Sequence, residues 1–182
     1  MKLWGLLIGC VAWAVRLSAA EAPSWDFSPG ASKIDFAVHA TGDSFVGHLQ
    51  HWNAQFQADL GQFPTAGSLS FALSDLKTGK ADRDQQMLTW LDAKQYPSAN
   101  FVLKSLLTAN GQWTATGNFT FHGVTRQLSF PVQFSQPDTG RNIDGAVTVD
   151  YREWNLKVFH KFGILKVDPL VKITFHLEAA AR

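Results

Sequence analysis

Apolar and polar residues alternate with a period of two through nearly every stretch of this chain that is rich enough in apolar residues to fold. Leu128 to Phe134 (LSFPVQF) and Val171 to Leu177 (VKITFHL) show it most clearly. The same rhythm passes through Lys33 to His39, Gln50 to Ala58, Ser68 to Leu73, Ala99 to Leu103 and Trp113 to Phe121. Successive side chains of a strand point to opposite faces, so each such run is dry on one side and wet on the other. With a weaker stretch near Gly145 to Tyr151, the pattern predicts about eight strands, each turning one apolar face to a shared interior. An all-β, antiparallel eight-stranded β-barrel closes such a sheet without leaving edges. A barrel of that size is either just filled by its own side chains or just wide enough for one small ligand, so the fold reading ends in a functional question: full or hollow.

Turn chemistry supports the barrel. Asn110-Gly111 suits the two positive-φ positions of a type I′ hairpin turn, and His122-Gly123 closes the next hairpin. Phe63 to Gly67 and Gln136 to Gly140 read as breaks between runs, with Pro and Gly supplying restricted and permissive backbone. One segment departs from the rhythm. Ala81 to Pro97 (ADRDQQMLTWLDAKQYP) carries Met87, Leu88 and Leu91 at helical spacing, with Asp82 available as an N-cap and Tyr96-Pro97 as a stop. It predicts one short helix, either a plug for a barrel end or a lid over a cavity. Both use the same apolar face, and the plug is the simpler expectation.

The 182 residues suffice for one domain with a substantial core. Residues 1–20 differ in kind: a basic Lys2, an apolar run from Leu3 to Val15 and small residues at Ser18 and Ala20 form the pattern of a secretory signal peptide. The run is too short to anchor the chain across a bilayer. Leu7 to Cys10 resembles a lipobox, but so early a cysteine leaves almost no apolar region before it, and ordinary export is favoured over lipidation. The expected mature protein, residues 21–182, is then periplasmic or secreted. Removing Lys2 and Arg16 lowers the 16 basic residues to 14 against 15 acidic ones, a net charge of −1, and leaves no cysteine. Disulfides, thiolate metal sites and cysteine nucleophiles are thereby excluded from it. No basic cluster of the density nucleic acid needs is present.

Chemistry-bearing patterns are sparse. His48 and His51 are three apart, which in a strand sends them to opposite faces, so no metal site is expected. His39 and His176 lie opposite the apolar faces of their strands, His122 falls in a turn and His160 in a loop. No Gly-x-Ser-x-Gly elbow occurs, and caps or solvated surface account for Asp82, Asp84 and Asp92 better than acid catalysis does. The sequence implies no cofactor.

Thr78 to Phe101 (TGKADRDQQMLTWLDAKQYPSANF) resembles the YceI-like family of periplasmic lipid- or polyisoprenoid-binding proteins in Thr78-Gly79, Arg83-Asp84, Leu88, Leu91-Asp92, Tyr96-Pro97 and Phe101. Val38-His39, Phe45 to Gly47, the hairpin Thr116 to Arg126 and Arg152 to Leu156 are similar to further elements of that family, in order along the mature chain. The resemblance implies a lipocalin-like barrel holding a long apolar chain such as an isoprenoid or fatty acyl derivative. Two positions depart from the family pattern. Gln95 replaces a basic residue before Tyr-Pro, and His48 to Gly61 is richer in His and Gln than the corresponding strand.

Alternation places Phe36, Val38, Phe71, Leu73, Phe101, Leu103, Trp113, Phe119, Phe121, Leu128, Phe130, Val132, Phe134, Ile173 and Phe175 inward, with Leu88 and Leu91 from the helix. By residue pattern alone these form a filled core; the resemblance turns them into a ligand lining. The leading expectation is an exported carrier that sequesters one long apolar molecule and catalyses nothing, with Arg83, Arg126, Arg152 or Lys161 as candidates to meet a head group at the mouth. A filled barrel that docks a membrane-associated redox or stress-response partner is the alternative. An enzyme acting on bound lipid would need an inward polar residue such as Asn53 or Gln55. A homodimer is a further open possibility of partnership.

Overall fold

The computed structural model describes residues 24–27, 30–59, 63–136, 140–161 and 165–180. Residues 1–20, with Cys10, and the centre of the turn after Gln136 lie outside the described residues. In chain order the elements are β1 (Ser24–Asp26), β2 (Lys33–Ala40), β3 (Asp43–Leu49), β4 (Asn53–Asp59), β5 (Phe63–Ala72), β6 (Leu76–Lys77), α1 (Ala81–Trp90), β7 (Ser98–Ala109), β8 (Gln112–Phe121), β9 (Val124–Ser135), β10 (Gly140–Asp150), β11 (His160–Lys161), β12 (Leu165–Lys166) and β13 (Leu170–Ala180).

Eleven of these strands form one antiparallel sheet in the order β1-β4-β5-β7-β8-β9-β10-β13-β2-β3-β6. The sheet curls on itself. Phe27 of the segment after β1 bridges Ala179 of β13, and the Gln50 amide donates to the Asp75 carbonyl beside the short β6. The fold is therefore the expected antiparallel barrel with one helix, built from more strands than the eight expected. The additional long strand is β3, whose Val46 is apolar yet exposed and whose inward position is Gly47, so it hides from an apolar/polar reading.

The hairpin turns are as expected, with positive φ at Asn110 (52°) and Gly111 (77°) between β7 and β8, and at His122 (47°) and Gly123 (72°) between β8 and β9. Phe63 to Gly67 is not a break; it is the first half of β5. Gln57 pairs with Ala66 and Ala58 with Pro64, so Thr65 is an extra residue bulged out of β5 next to Pro64, the kind of position where a strand tolerates a residue without an N–H. Asp82 does not cap α1. The N-cap is Lys80, without a side-chain hydrogen bond, and Asp84 instead accepts from the Thr78 amide (2.8 Å) and hydroxyl (2.6 Å). That tie, with Gly79 at φ 76°, sets the angle at which the helix leaves the sheet.

Two packed clusters occupy the interior. One gathers Trp25, Phe27, Phe56, Leu103, Ile143 and Leu177, and edge-to-face contacts extend it through Phe134 to Phe63 and Trp113. The other, at the helix end, gathers Leu73, Leu91, Ala99, Tyr151 and Leu156.

Candidate functional site

An unfilled space of about 170 Å³ lies inside the curl, against both clusters. Its wall is drawn from almost every long strand: Ile34 and Phe36 of β2, Leu49 of β3, Phe56 of β4, Leu69 and Phe71 of β5, Phe101, Leu103 and Leu106 of β7, Ala115 and Phe119 of β8, Leu128, Phe130, Val132 and Phe134 of β9, Ile143 and Val147 of β10, and Ile173, Phe175 and Leu177 of β13. Every atom exposed to the space is apolar. A void with such walls stays dry, because water needs several polar partners to enter. At about 24 cal/mol per Å³, an empty volume of this size forgoes about 4 kcal/mol of packing.

What keeps the space open is visible in the backbone. Among the described residues, four inward glycines sit beneath phenylalanine rings of neighbouring strands: Gly47 under Phe36, Gly67 under Phe56, Gly117 under Phe101 and Gly145 under Phe175. A Cβ at these positions would lie only 2.2, 2.4, 2.3 and 2.3 Å from the nearest ring atom. In three of them the ring and the glycine are direct cross-strand partners. Each ring thus lies over the adjacent backbone instead of reaching toward the barrel axis. The aromatic content that reads as core in the sequence is laid flat as wall.

A second space of about 520 Å³ adjoins the helix. Val38 of β2 and Val171 of β13 line it, each two residues along the strand from Phe36 and Ile173 of the inner space, so the two follow one another along the same inward faces. Met87 and Trp90 of α1, Phe45, Tyr151 and Phe159 complete its apolar wall, and Asp43, Lys80, Asp82 and Arg83 its polar rim. Met87, Leu88 and Trp90 of α1, with Leu91 after it, pack on the second cluster as the expected plug would, and Met87 and Trp90 also line this chamber. That position is fixed by Trp90, whose Nε1 donates to the Lys157 carbonyl (3.0 Å) and whose ring meets Tyr151 edge-on. Burial pushes the Tyr151 phenol above its ordinary pKa, and the neutral hydroxyl donates to the Val167 carbonyl (3.2 Å).

Of the expected lining residues, Phe36, Phe71, Phe101, Leu103, Phe119, Leu128, Phe130, Val132, Phe134, Ile173 and Phe175 stand in the inner wall and Val38 in the outer chamber. Five others do not line either space. Leu73 and Leu91 belong to the solid cluster at the helix end, with Leu88 packed on it. Trp113 stacks on Phe63 at 4.5 Å, and Phe121 lies between Phe119 and Trp154. Alternation reports which face a residue takes but not which layer along the barrel axis it occupies. The strand reading also left out wall positions that lie inside or beside its runs: Ile34, Leu49, Phe56, Leu69, Leu106, Ala115, Ile143, Val147 and Leu177.

Asn53 and Gln55 are exposed on the outer face of β4, while Ala54, Phe56 and Ala58 point inward. Asn53 and Gln55 are thus not inward polar groups, and the Gln-rich stretch keeps an apolar wall. Among the four candidate cations, Arg126 donates to the Glu153 carbonyl (3.0 Å) and Arg152 is held by Asp150, whose carboxyl it draws below the usual carboxylate range. Lys161 begins a segment whose side chains lie outside the described residues. Of the three whose side chains are described, Arg83 borders a chamber. The histidines serve locally: His51 meets Asp75 (2.8 Å), His176 meets Asp144 (2.7 Å), His39 meets the Ser44 hydroxyl and His122 donates to the Trp154 carbonyl. No group of three metal-ligating side chains occurs among the described residues.

The motif-like segments converge on the helix end. Trp154, fully buried, donates from Nε1 to the Phe119 carbonyl, Tyr96 stacks on His122 at 4.3 Å, and the Leu73 amide donates to the Pro97 carbonyl. They stitch the second cluster around the chamber mouth.

Comparison with known proteins agrees with this architecture. The family model described as YceI-like domain matches residues 25–179. A UPF0312 protein of Pseudomonas savastanoi pv. phaseolicola is 32% identical over 138 residues, covering 72% of this chain and 70% of its own length. Among solved structures, Burkholderia cenocepacia BcnA superposes with a TM-score of 0.75 at 23% identity, over 85% of this chain and 100% of its own. A polyisoprenoid binding domain from Saccharophagus degradans, implicated in plant cell wall breakdown, superposes with a TM-score of 0.67 at 15% identity, over 87% and 98%.

Proposed function

This chain belongs to the YceI-like domain family, and from that premise we propose that it is an exported carrier that holds one long apolar molecule, a polyisoprenoid or fatty acyl derivative, inside its barrel. The observation that carries the reading is the dry, wholly apolar space of about 170 Å³ at the centre of a barrel otherwise rich in aromatic residues. A chain with 14 phenylalanines had the means to fill it and instead lays rings over glycines. Filling the space with a ligand tail recovers the contacts that the empty lumen forgoes, at about 0.8 kcal/mol per buried methylene. Several isoprene units then suffice for micromolar affinity after the ordering cost of association. The related polyisoprenoid binding domain points to the same ligand class. The protein acts on its ligand by sequestration: Asp35, the acidic residue along the inner wall, pairs its carboxylate with Lys33 (2.9 Å), and the surface the wall presents to the space is apolar. It works in the periplasm, after removal of residues 1–20, a placement supported by the sequence pattern of that segment.

The test is gentle purification from the periplasm of an expressing bacterium, followed by native mass spectrometry and lipid extraction. A stoichiometric apolar adduct is expected. An empty barrel that also refuses added prenyl and acyl chains rejects the carrier function. The docking-module alternative calls for a contiguous apolar surface, yet among the described residues the exposed large apolar ones, Val46, Leu107 and Leu170, sit on β3, β7 and β13, none of which neighbours another in the sheet.

A further inference from the structure

We infer that Phe134 is the floor of the lumen, and that its ring sets how long an apolar chain this barrel accepts. This rests on the carrier reading above and adds to it the length of the cargo.

Phe36, Phe56, Phe101 and Phe175 lie over the glycines of neighbouring strands, whereas the Phe134 ring crosses the interior. From β9 its ring centre comes within 5.6 Å of Trp113 on the adjoining β8, 5.3 Å of Phe63 on β5 and 6.4 Å of Trp25 on β1. β5 is three strands from β9 in one direction. In the other direction β1 is also three strands away, past β10 and β13, where Phe27 bridges Ala179. At about 4.8 Å per strand, each lies about 14 Å from β9 around the wall, so rings this close meet only across the middle of the barrel. All three contacts are edge-to-face, the arrangement aromatic pairs favour, and together they hold the Phe134 ring against swinging aside when a tail arrives.

The open space ends at the same level. Phe134 pairs with Ile143 and Ile143 with Leu177 across their strands, and all three border the space. One inward position farther along, Arg141 pairs with Ala179 and Phe27 bridges it, and none of these borders the space; neither do Trp25, Phe63 and Trp113. Arg141 closes that end further, with its guanidinium carbon 5.2 Å from the centre of the Trp25 ring. At the other end the inward faces of β2 and β13 run on from Phe36 and Ile173 to Val38 and Val171 of the helix-side chamber. Among the described residues, then, the lumen is blind at Phe134 and continues toward the helix. A chain enters tail first and its tip stops against the Phe134 ring. Each carbon added up to that point leaves water, and each one beyond it must stay outside the lumen. The distance from Phe134 to the mouth is therefore a length gauge.

The experiment titrates delipidated protein with a ladder of prenyl alcohols, beginning at geraniol and farnesol and lengthening by one isoprene unit at a time, and reads Kd by displacement of the fluorescent probe N-phenyl-1-naphthylamine. For the native chain the affinity is expected to climb with each unit and then level off at one length. Phe134→Ala removes a phenyl ring, close in size to one isoprene unit, so its affinity should go on climbing for one unit more. The alcohol of that added length should bind the variant about tenfold more tightly than it binds the native chain. Phe134→Leu, which keeps more of the packing around Trp25, Phe63 and Trp113, should move in the same direction with part of the gain. A ring that served packing alone would weaken every alcohol to a similar degree and leave the levelling length where it was. Levelling at the native length in both variants overturns the inference while leaving the carrier intact, as does a native affinity that climbs through every unit without levelling. Failure of every alcohol to bind the native chain removes the carrier reading itself, and this inference with it.

Discussion

Substituting Ala115 by Leu separates a hollow barrel from a filled one by the sign of a stability change. Ala115 is buried in β8, faces Phe130 and Leu106 across its two neighbours, and stands in the wall of the inner space. Leucine adds three carbons there. In a dry void each is worth about 0.8 kcal/mol, so the ligand-free protein should gain about 2.4 kcal/mol at most. For a domain of this size that corresponds to a rise in Tm of about 5–10 °C. In a packed core the same three carbons would overfill the site and cost about 1–3 kcal/mol. Differential scanning calorimetry of delipidated native and variant protein reads the sign, and titration with a prenyl chain reads the consequence for binding, which should weaken as the added side chain takes the ligand's place. Stabilisation joined to loss of binding is the signature of a space kept open for function. A variant that melts lower than the native chain, or one that melts higher and binds with undiminished affinity, refutes the assignment of the lumen as the ligand site.

Three further substitutions probe the arrangement. Gly145→Ala places a Cβ where the Phe175 ring lies and should push that ring toward the axis, lowering stability by about 1–3 kcal/mol and weakening prenyl binding, as read by urea denaturation and titration. Leu73→Ala, in the solid cluster at the helix end, should destabilise by about 2–5 kcal/mol, yet leave the affinity of the folded protein for a prenyl chain unchanged; a selective loss of affinity at full stability would place Leu73 in the wall after all. Asp150 has its pKa lowered chiefly by the side-chain hydrogen bond from Arg152, so the stability it contributes is present above its unfolded value, about 3.9, and is lost as pH falls through the folded value. Arg152→Met should therefore be less stable than the native chain near neutrality and converge with it in acid, in paired thermal melts across that range.

The period of two made most of this fold readable, because a strand with one dry face admits few partners other than another such strand. The rhythm of Leu128 to Phe134 and Val171 to Leu177, with Asn110-Gly111 and His122-Gly123 at the turns, names the sheet's central members without any tertiary information. It fails where side chain and environment part company. β3 carries an exposed valine and an inward glycine, and β5 runs through Pro64 beside its own bulge at Thr65, where a missing N–H is tolerated. The site was legible in part. Inward facing follows from alternation, but membership of the wall depends on height along the barrel, which is why Leu73 and Leu91 fall in solid packing and Phe36 and Ile173 in the wall. Arg83 was one of four candidate cations in sequence; among those described, the structure puts it at the chamber rim and ties Arg126 and Arg152 elsewhere.

Sequence by itself determined which residues face inward, where the chain reverses and to which family it belongs, since these follow from local side-chain periodicity, backbone preference and motif order. Tertiary structure decided that the interior is hollow. The same phenylalanines fill a barrel or line one according to whether a ring points to the axis or lies over the glycine of the next strand, and that glycine is brought beneath it only by cross-strand register.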